Sequence, residues 1–421
     1  MPPEEVAITG VGVVSPIGVG KEQTWDSLVR GRSGVGPIRR FDPGELPVQI
    51  AGEVEDFDPK AYVKPRKSLK VMARDTRLGV AASTLARQDA GITDGQVDPD
   101  RFGVIFGADP ICGALEDSEA SYRACMVDGE FDIRRWATDG MAATFPLSFL
   151  KVLPNMIASH VSIAQDARGP SNTIHQGDLS SLLAVSEATR VIQRGAADAM
   201  IAGGASSQLN PYHWIRLCLG GELSTSQEDP TMVLRPFDAD RDGQVRGEGA
   251  AAFILENRRH AEARGATILA RIGGCASTCE PRGSGPPKGI GLKRAMSLAM
   301  EEAGLEPSDV GHVNAHGVST VAEDEIEARA IHACLPEVPV TAPKSYFGNL
   351  GASGGAVEMA TSVLSFAEEL VPPTLNYRRP DPKCPVSVVR DGPLKTSKNT
   401  ALAVNWTWMG QVAAVVVSGP N

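Results

Sequence analysis

The sequence predicts an α/β fold made of two related halves. Short apolar strands alternate with helices along the whole chain, which is typical of mixed, mainly parallel sheets with helices on their faces. Each half also contains a glycine-rich turn followed by an apolar helix, at residues 176–192 in the first half and 348–368 in the second. Two helix N-termini of the same kind indicate an internal duplication.

The predicted elements follow from apolar runs bounded by glycine or proline and from apolar residues at helical spacing. Apolar runs predict strands at residues 6–15, 101–107, 199–205, 250–255, 269–273, 310–317 and 412–418. Helical spacing predicts helices at residues 22–31, 68–89, 182–192, 291–303, 323–334 and 356–368. Every helix lies between two strands, as a layered α/β fold requires.

The composition narrows the classes of protein and of partner. The chain has 421 residues, of which 42% are hydrophobic, and its net charge of −10 argues against nucleic acid or an anionic membrane as the main partner. Its seven cysteines lack the paired spacing of a zinc site. No apolar run reaches the roughly 18 residues of a membrane span, and no basic segment opens the chain. We therefore expect a cytoplasmic protein without a signal peptide.

Two short motifs resemble ligand-binding loops, but each lacks a required residue. In the first strand, Gly10 and Gly12 resemble the start of a dinucleotide motif, yet the third glycine is absent and Pro16 interrupts the expected helix. Gly12 is better explained by close packing of the backbone. The aspartate-rich turn that begins at Asp238 resembles a calcium loop, but Gly249 takes the place of its glutamate. We expect neither a cofactor nor a metal.

A group of basic residues lies before and within the helix predicted at 68–89, which is unusual in an acidic chain. This basic cluster consists of Lys64, Arg66, Lys67, Lys70 and Arg74. The residues leave two interpretations open, a solvated helix face and a docking surface for an acidic partner.

The first glycine-rich turn has the form of a nucleophile elbow but carries an unexpected residue. A strand, a tight turn and an apolar helix follow one another, so free N–H groups and the positive end of the helix dipole lie at the turn. Many enzymes place a nucleophile there. In this chain the position is held by Asp178. We expect its carboxylate to cap the following helix by accepting backbone N–H bonds.

Several short motifs are spread over the whole chain. They are Gly169-Pro-Ser171, Ala197-Asp198, Gly203-Gly204-Ala205, Arg235-Pro-Phe-Asp238, Arg241-Asp-Gly243, Gly247-Glu-Gly-Ala250, Val313-Asn-Ala-His-Gly317, Lys344-Ser345 and Pro372-Pro-Thr374. As a set they resemble the β-ketoacyl-ACP synthases, the type II condensing enzymes of the thiolase superfamily. The resemblance implies a thiolase-like duplicated α/β fold, layered α-β-α-β-α with mixed five-stranded sheets. It divides the chain into residues 1–255, with cap insertions, and residues 256–421.

The resemblance also implies that the site has lost part of the family's chemistry. Asp178 stands at the position of the condensing cysteine, whose thiolate takes the acyl chain. A carboxylate is a poor substitute, because an acyl anhydride hydrolyses quickly. His316 matches the first family histidine and Lys344 the family lysine, whereas Asn349 replaces the second histidine. A histidine satisfied in the core is the alternative for His316.

The family's glycine-rich loop, which gates the acyl channel and helps to form the oxyanion hole, is rewritten at residues 407–411 as Thr-Trp-Met-Gly-Gln. Trp406 and Trp408 would narrow or fill the substrate channel, with Met409 beside them. Ordinary core packing is the alternative for both tryptophans. Three changes at one site indicate a relaxed or redirected function.

Three functions stay open for such a chain. The first, which we favour, is a non-condensing subunit of fatty acid or polyketide biosynthesis, similar to the chain-length factors that pair with an active ketosynthase. The second is a malonyl-ACP decarboxylase or an unusual acyltransferase, because His316 with Asn349 resembles the pair that stabilises an enolate in type III condensing enzymes. The third is a scaffold that binds the acyl carrier without turnover.

The resemblance suggests partners as well. Acyl carrier protein is acidic and the family docks it with basic residues, so the basic cluster becomes its expected docking surface, which Arg134 and Arg135 extend. The other expected partner is an active ketosynthase in a heterodimer, or a second copy of the chain in a homodimer.

Overall fold

The computed structural model describes residues 4–226, 228–281 and 285–420 and confirms the α/β class. Its strands are β1 Val6–Ser15, β2 Gly18–Val19, β3 Val35–Pro37, β4 Ile50–Gly52, β5 Phe102–Ala108, β6 Met126–Val127, β7 Glu130–Phe131, β8 Ser171–Ile174, β9 Ala199–Ser207, β10 Glu248–Asn257, β11 Ala270–Cys279, β12 His312–Asn314, β13 Pro339–Thr341, β14 Leu370–Val371, β15 Ser387–Val388, β16 Leu394–Lys395, β17 Thr400–Trp406 and β18 Gln411–Ser418. Its α-helices are α1 Lys21–Val29, α2 Arg74–Asp89, α3 Leu115–Ala124, α4 Met141–Ala143, α5 Met156–Gln165, α6 Ser180–Gln193, α7 Pro211–Gly220, α8 Arg258–Ala263, α9 Ile290–Ala303, α10 Val321–Cys334, α11 Lys344–Phe347 and α12 Gly354–Glu368.

The main sheet consists of two equivalent five-stranded halves. The strand order is β8-β5-β9-β10-β1 in the first half and β13-β12-β17-β18-β11 in the second, where β15 extends the edge. In each half, the first two pairs of neighbouring strands in this order are parallel and the last two pairs are antiparallel. A short antiparallel ladder between β1 and β11 joins the halves. The repeated pairing pattern confirms the predicted duplication.

The helices complete the α-β-α-β-α layering that the resemblance implied. Helix α6 packs against β5 and β9 of the first half and against β11 and β18 of the second, and α12 lies beside it. These two helices therefore form the central layer. Helices α2 and α5 cover the outer face of the first half, and α9 with α10 covers the outer face of the second. Alternate residues of β18 accordingly face different cores, Val415 the central one and Val416 the outer one.

Two glycines of β1 allow α2 to lie directly on the sheet, as predicted for Gly12. A Cβ atom on Gly12 would lie 2.0 Å from the carbonyl oxygen of Ala82, and one on Gly10 would lie 2.2 Å from that of Ala86. Both contacts are with helix backbone, which cannot move aside as a side chain would. The glycine pair is thus required for packing.

Two predicted elements are shorter in the structure. Residues Arg66–Val71 form a 3-10 helix, and α2 begins only at Arg74, because Met72 and Ala73 have extended backbone. The strand predicted at 310–317 is confined to β12, since the backbone then leaves the sheet and the N–H groups of His316 and Gly317 donate to the Glu327 carboxylate. Among the helices of the described residues, none has the length and apolarity to cross a membrane.

The predicted division of the chain into residues 1–255 and 256–421 stays a prediction. It falls within β10, two residues before that strand ends at Asn257. The next long strand, β11, belongs to the second half-sheet.

Candidate functional site

The first glycine-rich turn places Asp178 between strand β8 and helix α6. Gly177 has a left-handed φ of 58°, and the Ser180 hydroxyl donates to its carbonyl oxygen at 2.6 Å. The same hydroxyl accepts the N–H of Gln176 at 2.8 Å, which closes the turn and starts the helix at Ser180. The expectation that Asp178 caps α6 is wrong: its carboxylate, 19% exposed, accepts a hydrogen bond from the side chain of Asn349 instead.

The second glycine-rich turn meets the first at this point. Asn349 Nδ2 donates to Asp178 Oδ2 at 2.8 Å and to Gln244 Oε1 at 3.0 Å. Its Oδ1 accepts the N–H of Gly351 at 3.0 Å. A backbone N–H only donates, so this contact determines which end of the Asn349 amide faces Asp178. The two turns of the duplicated fold therefore form one site.

His316 is buried beside Asp178 as a neutral ring that carries its proton on Nε2. Lys344 Nζ lies 3.0 Å from Nδ1, and because an ammonium group only donates, Nδ1 must be the acceptor. Nε2 lies 3.7 Å from Asp178 Oδ2. Burial, and after it the positive charge of Lys344, holds the pKa of His316 well below its usual value. The ring is thus buried and also faces the candidate site.

A buried ion pair lies behind His316. Lys344 Nζ contacts Glu358 Oε1 at 2.5 Å, and both side chains are 1% exposed. Asn405 Nδ2 donates to the other Glu358 oxygen at 2.8 Å. Burial raises the pKa of Glu358, and the charge of Lys344 opposes that rise. The pair fixes the ammonium group that sets the His316 tautomer.

Arg246, which the sequence did not single out, faces the second oxygen of the Asp178 carboxylate. Its Nη1 lies 3.6 Å from Asp178 Oδ1, and its side chain is 13% exposed. Burial alone would raise the pKa of Asp178, but the charge of Arg246 and then the other groups of the site hold that pKa below its ordinary value. Asp178 is therefore ionised at neutral pH.

The backbone explains how Arg246 reaches the site. The N–H of Asn349 donates to the Val245 carbonyl at 2.8 Å, and the N–H of Gly247 donates to the Asn349 carbonyl at 3.0 Å. This bridge holds Arg246 next to the second turn. For Arg246, the available signal in the sequence was a single arginine between two glycine-containing motifs. For Glu358, the signal was a charge inside the apolar helix predicted at 356–368, whose other charged residue, Glu368, is its last.

The three residues expected in the channel occupy different environments. Trp406 is fully buried in β17, and its ring meets that of His316 edge-on with 6.4 Å between centroids. Trp408 is partly buried against the outer core of the second half. Met409 is 56% exposed. Trp406 therefore borders the site and also packs in the core. Trp408 packs mainly against the outer core.

Four residues of the basic cluster are exposed on the segment that precedes α2. These are Lys64, Arg66, Lys67 and Lys70. Arg74 differs: its Nη2 contacts the fully buried Glu248 at 2.7 Å, and its side chain is only 16% exposed. It turns inward because Glu248 needs a positive partner, so Arg74 is a half-buried ion-pair partner and does not share the exposure of the other four residues. Arg134 and Arg135 each pair with a nearby aspartate.

The aspartate-rich turn uses its carboxylates for contacts within the protein. Asp238 Oδ2 accepts the N–H groups of Arg378 at 2.7 Å and Arg379 at 2.6 Å, and Asp242 accepts the Ser224 hydroxyl at 2.8 Å. In the part of the chain that the structure describes, no group of three or more histidine, cysteine or acidic side chains could hold a metal ion.

Known proteins share this architecture over the full chain. Two family descriptions match in succession, the N-terminal domain of β-ketoacyl synthase at residues 3–261 and its C-terminal domain at residues 269–378. The chain is 35% identical to 3-oxoacyl-[acyl-carrier-protein] synthase 2 of Synechocystis sp., covering 92% of this chain and 91% of that protein. It is 34% identical to a putative polyketide beta-ketoacyl synthase 1 of Streptomyces halstedii, covering 99% and 98%.

Solved structures agree with these relatives. The ishigamide ketosynthase/chain length factor matches with a TM-score of 0.89 at 26% identity and full coverage of both chains. A β-ketoacyl synthase from Burkholderia phymatum matches with a TM-score of 0.89 at 29% identity, covering 99% of this chain and 100% of that one. The chain therefore belongs to the β-ketoacyl synthase family.

Proposed function

We propose that this protein is a non-condensing ketosynthase-like subunit of fatty acid or polyketide biosynthesis, which works with an active ketosynthase as a chain-length factor does. The observation that carries this is the state of Asp178. An ionised carboxylate stands at the elbow and is engaged by Asn349 and Arg246. An acyl group transferred to it would form an anhydride that water cleaves, so condensation needs the cysteine of another chain.

An exposed apolar surface supports the pairing. Residues 115–163 expose many large apolar side chains: Leu115, Tyr122, Met126, Val127, Phe131, Ile133, Met141, Phe145, Leu147, Phe149, Val152, Leu153 and Ile163. The neighbouring strand β8 ends the strand order of the first half-sheet, and Ser171 and Asn172 are exposed on it. Exposed large apolar side chains and an exposed sheet edge are each typical of a protein interface. We assign this surface to the ketosynthase partner.

The solved relatives support both proposed partners. One of them is named as a ketosynthase/chain length factor, and a second, matched with a TM-score of 0.86 at 28% identity, is named as a type II PKS acyl-carrier protein in complex with its ketosynthase. By analogy, the acyl carrier protein of this system docks on Lys64, Arg66, Lys67 and Lys70, which are exposed.

One observation favours the decarboxylase or acyltransferase alternative. His316 Nε2 and Asn349 Nδ2 both approach a single oxygen atom, as the donors of an oxyanion site do. That oxygen belongs to Asp178, so the donors are engaged within the protein. The non-condensing subunit is therefore the better supported function.

Co-expression with a cysteine-bearing ketosynthase from the same genome tests the proposal. We expect the two chains to purify in equal amounts and the pair to elongate acyl-ACP with malonyl-ACP, whereas this chain alone does not. As a control, a pair whose ketosynthase cysteine is replaced by alanine should be inactive. Elongation by this chain alone would disprove the proposal. Carrier protein that binds without any turnover, even when the ketosynthase is present, would favour the scaffold alternative instead.

A further inference from the structure

We propose that a basic cavity at the start of helix α2 binds a phosphate group, either free phosphate or the phosphate of a small phosphorylated metabolite. Four cationic side chains line this cavity, namely Arg40, Arg74, Arg77 and Lys151. Neither Asp178 nor Asn349 lines it, so the cavity is separate from the candidate site at the two glycine-rich turns.

Two of the four cations are neutralised by partners within the protein. Arg74 Nη2 contacts Glu248 Oε1 at 2.7 Å, and Lys151 Nζ contacts Asp117 Oδ1 at 2.6 Å. These two pairs leave the other two cations, both arginines, as the excess positive charge of the cavity. An excess of two positive charges matches the charge of a phosphate dianion.

Arg77 is partly buried but has no anionic partner. Its Nη2 donates to the Leu69 carbonyl at 3.1 Å, whereas its Nε is buried without a hydrogen-bond partner among the described residues. Burial, and after it the positive charges of Arg74 and Arg40, hold the pKa of Arg77 below its ordinary value. Because these like charges repel one another, an anion between the guanidinium groups would stabilise all of them.

The N-terminus of α2 lines the same cavity. The residue that precedes the helix, Ala73, has no side chain that could cap it, and residues 72–75 border the cavity. The first N–H groups of a helix and the positive end of its dipole favour an anion at this position. The helix and the arginines therefore attract the same class of ligand.

One carboxylate without a cationic partner, that of Asp75, also lines the cavity. Its Oδ1 accepts the N–H of Ser207 at 2.7 Å, and burial raises the pKa of Asp75 to about 7. A bound anion would raise this pKa further, so that Asp75 would be protonated in the complex and could donate its O–H to the ligand. Asp75 is therefore compatible with an anion in the cavity.

The size of the cavity identifies the ligand as one compact group. Its volume is about 150 Å³. At about 30 Å³ for each water molecule, this is room for about five non-hydrogen atoms, the number in a phosphate group. Guanidinium groups match the oxygen geometry of phosphate. A dicarboxylate carries its two charges on separate groups, of which the cavity can hold one.

Isothermal titration calorimetry of the full chain with inorganic phosphate, at constant ionic strength set with chloride, tests the assignment. We expect one binding site. Arg77→Gln and Arg40→Gln should each weaken binding at least about tenfold, because each removes a hydrogen bond to a charged ligand. Arg39→Gln is the matched control: the neighbouring arginine is exposed, and its Nη1 contacts Glu55 at 3.0 Å. Its affinity should stay within about twofold, because solvent and salt screen its charge.

Titration with adenosine monophosphate separates the two sources of the phosphate group. Tighter binding than that of inorganic phosphate assigns the cavity to a phosphorylated metabolite, and equal or weaker binding assigns it to free phosphate. Either result supports the cavity as a phosphate site, provided that Arg77→Gln weakens the binding.

Thermal melting shows whether each variant is folded, and Arg40→Gln, at an exposed position, provides the test if Arg77→Gln is not. Phosphate should raise the melting temperature of the unchanged protein more than that of either variant. Three results would overturn the proposal: no binding of phosphate, equally tight binding of succinate, or equal losses in Arg39→Gln and Arg40→Gln. These measurements need neither a ketosynthase nor a carrier protein, so they are independent of the proposed function.

Discussion

Each oxygen of the Asp178 carboxylate has its own partner, Asn349 for Oδ2 and Arg246 for Oδ1. Behind this group, the Lys344–Glu358 pair sets the tautomer of a neutral His316. The site therefore contains two pairs of opposite charges, Asp178 with Arg246 and Glu358 with Lys344, next to the uncharged ring of His316. A partly buried charge without its partner carries a large desolvation penalty, so neither pair can lose one member without consequence.

At the residue scale, we predict that Lys344→Met lowers the free energy of unfolding by about 3–5 kcal/mol, because it leaves Glu358 buried without a positive partner. The double variant Lys344→Met with Glu358→Leu should lose less than the single variant. Urea unfolding at neutral pH measures both. Glu358→Leu alone is measured in the same way. If the double variant lost the sum of the two single losses, the pair would contribute nothing through its mutual contact.

At the scale of elements, the duplication explains why the site exists where it does. Helices α6 and α12 lie side by side in the central layer, so the turns that precede them carry Asp178 and Asn349 to the same place. Close packing at the glycines of β1 holds the outer helix α2 on the sheet. The site thus depends on contacts between elements that are far apart in the chain.

The contact between β1 and α2 gives a sharp prediction for Gly12→Ala. The new methyl group would meet the Ala82 carbonyl oxygen at 2.0 Å, so we expect a loss of about 3 kcal/mol or more in the free energy of unfolding. Gly36→Ala is the matched control, because a Cβ atom there would meet nothing within 4 Å. The free energy of unfolding of the Gly36→Ala variant should stay within about 1 kcal/mol of that of the unchanged protein. Equal effects of the two substitutions in chemical denaturation would refute this account of β1.

At the scale of the whole molecule, an acidic chain with a net charge of −10 must bind an acidic carrier protein in the proposed function. Long-range repulsion therefore has to be overcome locally, by the exposed part of the basic cluster. In the proposed function, the exposed apolar surface at residues 115–163 binds the ketosynthase. Its segment Ser148–Lys151 contacts the segment Arg66–Val71, which carries part of the basic cluster. The two proposed partners thus use neighbouring parts of the first half of the chain.

We predict that the double charge reversal Arg66→Glu with Lys67→Glu weakens binding of carrier protein at least tenfold, in the manner of other electrostatic interfaces. Since the effect is electrostatic, the difference should shrink as the salt concentration rises. Fluorescence anisotropy with labelled carrier protein measures both. Lys395→Glu, an exposed reversal elsewhere, serves as control. Equal weakening by Lys395→Glu, or no salt dependence, would contradict docking at the basic cluster.

The sequence by itself determined the α/β class, the duplication and the identity of the residues at both elbows. Those properties depend on local patterns, namely apolar runs, helical spacing and glycine turns, which can be recognised one segment at a time. The close packing of Gly12 was also predictable, because a glycine within an apolar strand indicates a close backbone contact.

Only the tertiary structure decided how the side chains pair. Arg246 pairs with Asp178, and Glu358 pairs with Lys344. Arg74 pairs with Glu248, which lies 174 residues away in the chain, and is not exposed like the rest of the basic cluster. Asp178 does not cap its own helix, because Asn349 from the other half donates to it. The physical reason is that a buried charge or polar group pairs with the group that the packing of distant elements brings within reach. The local sequence around such a group does not identify that partner.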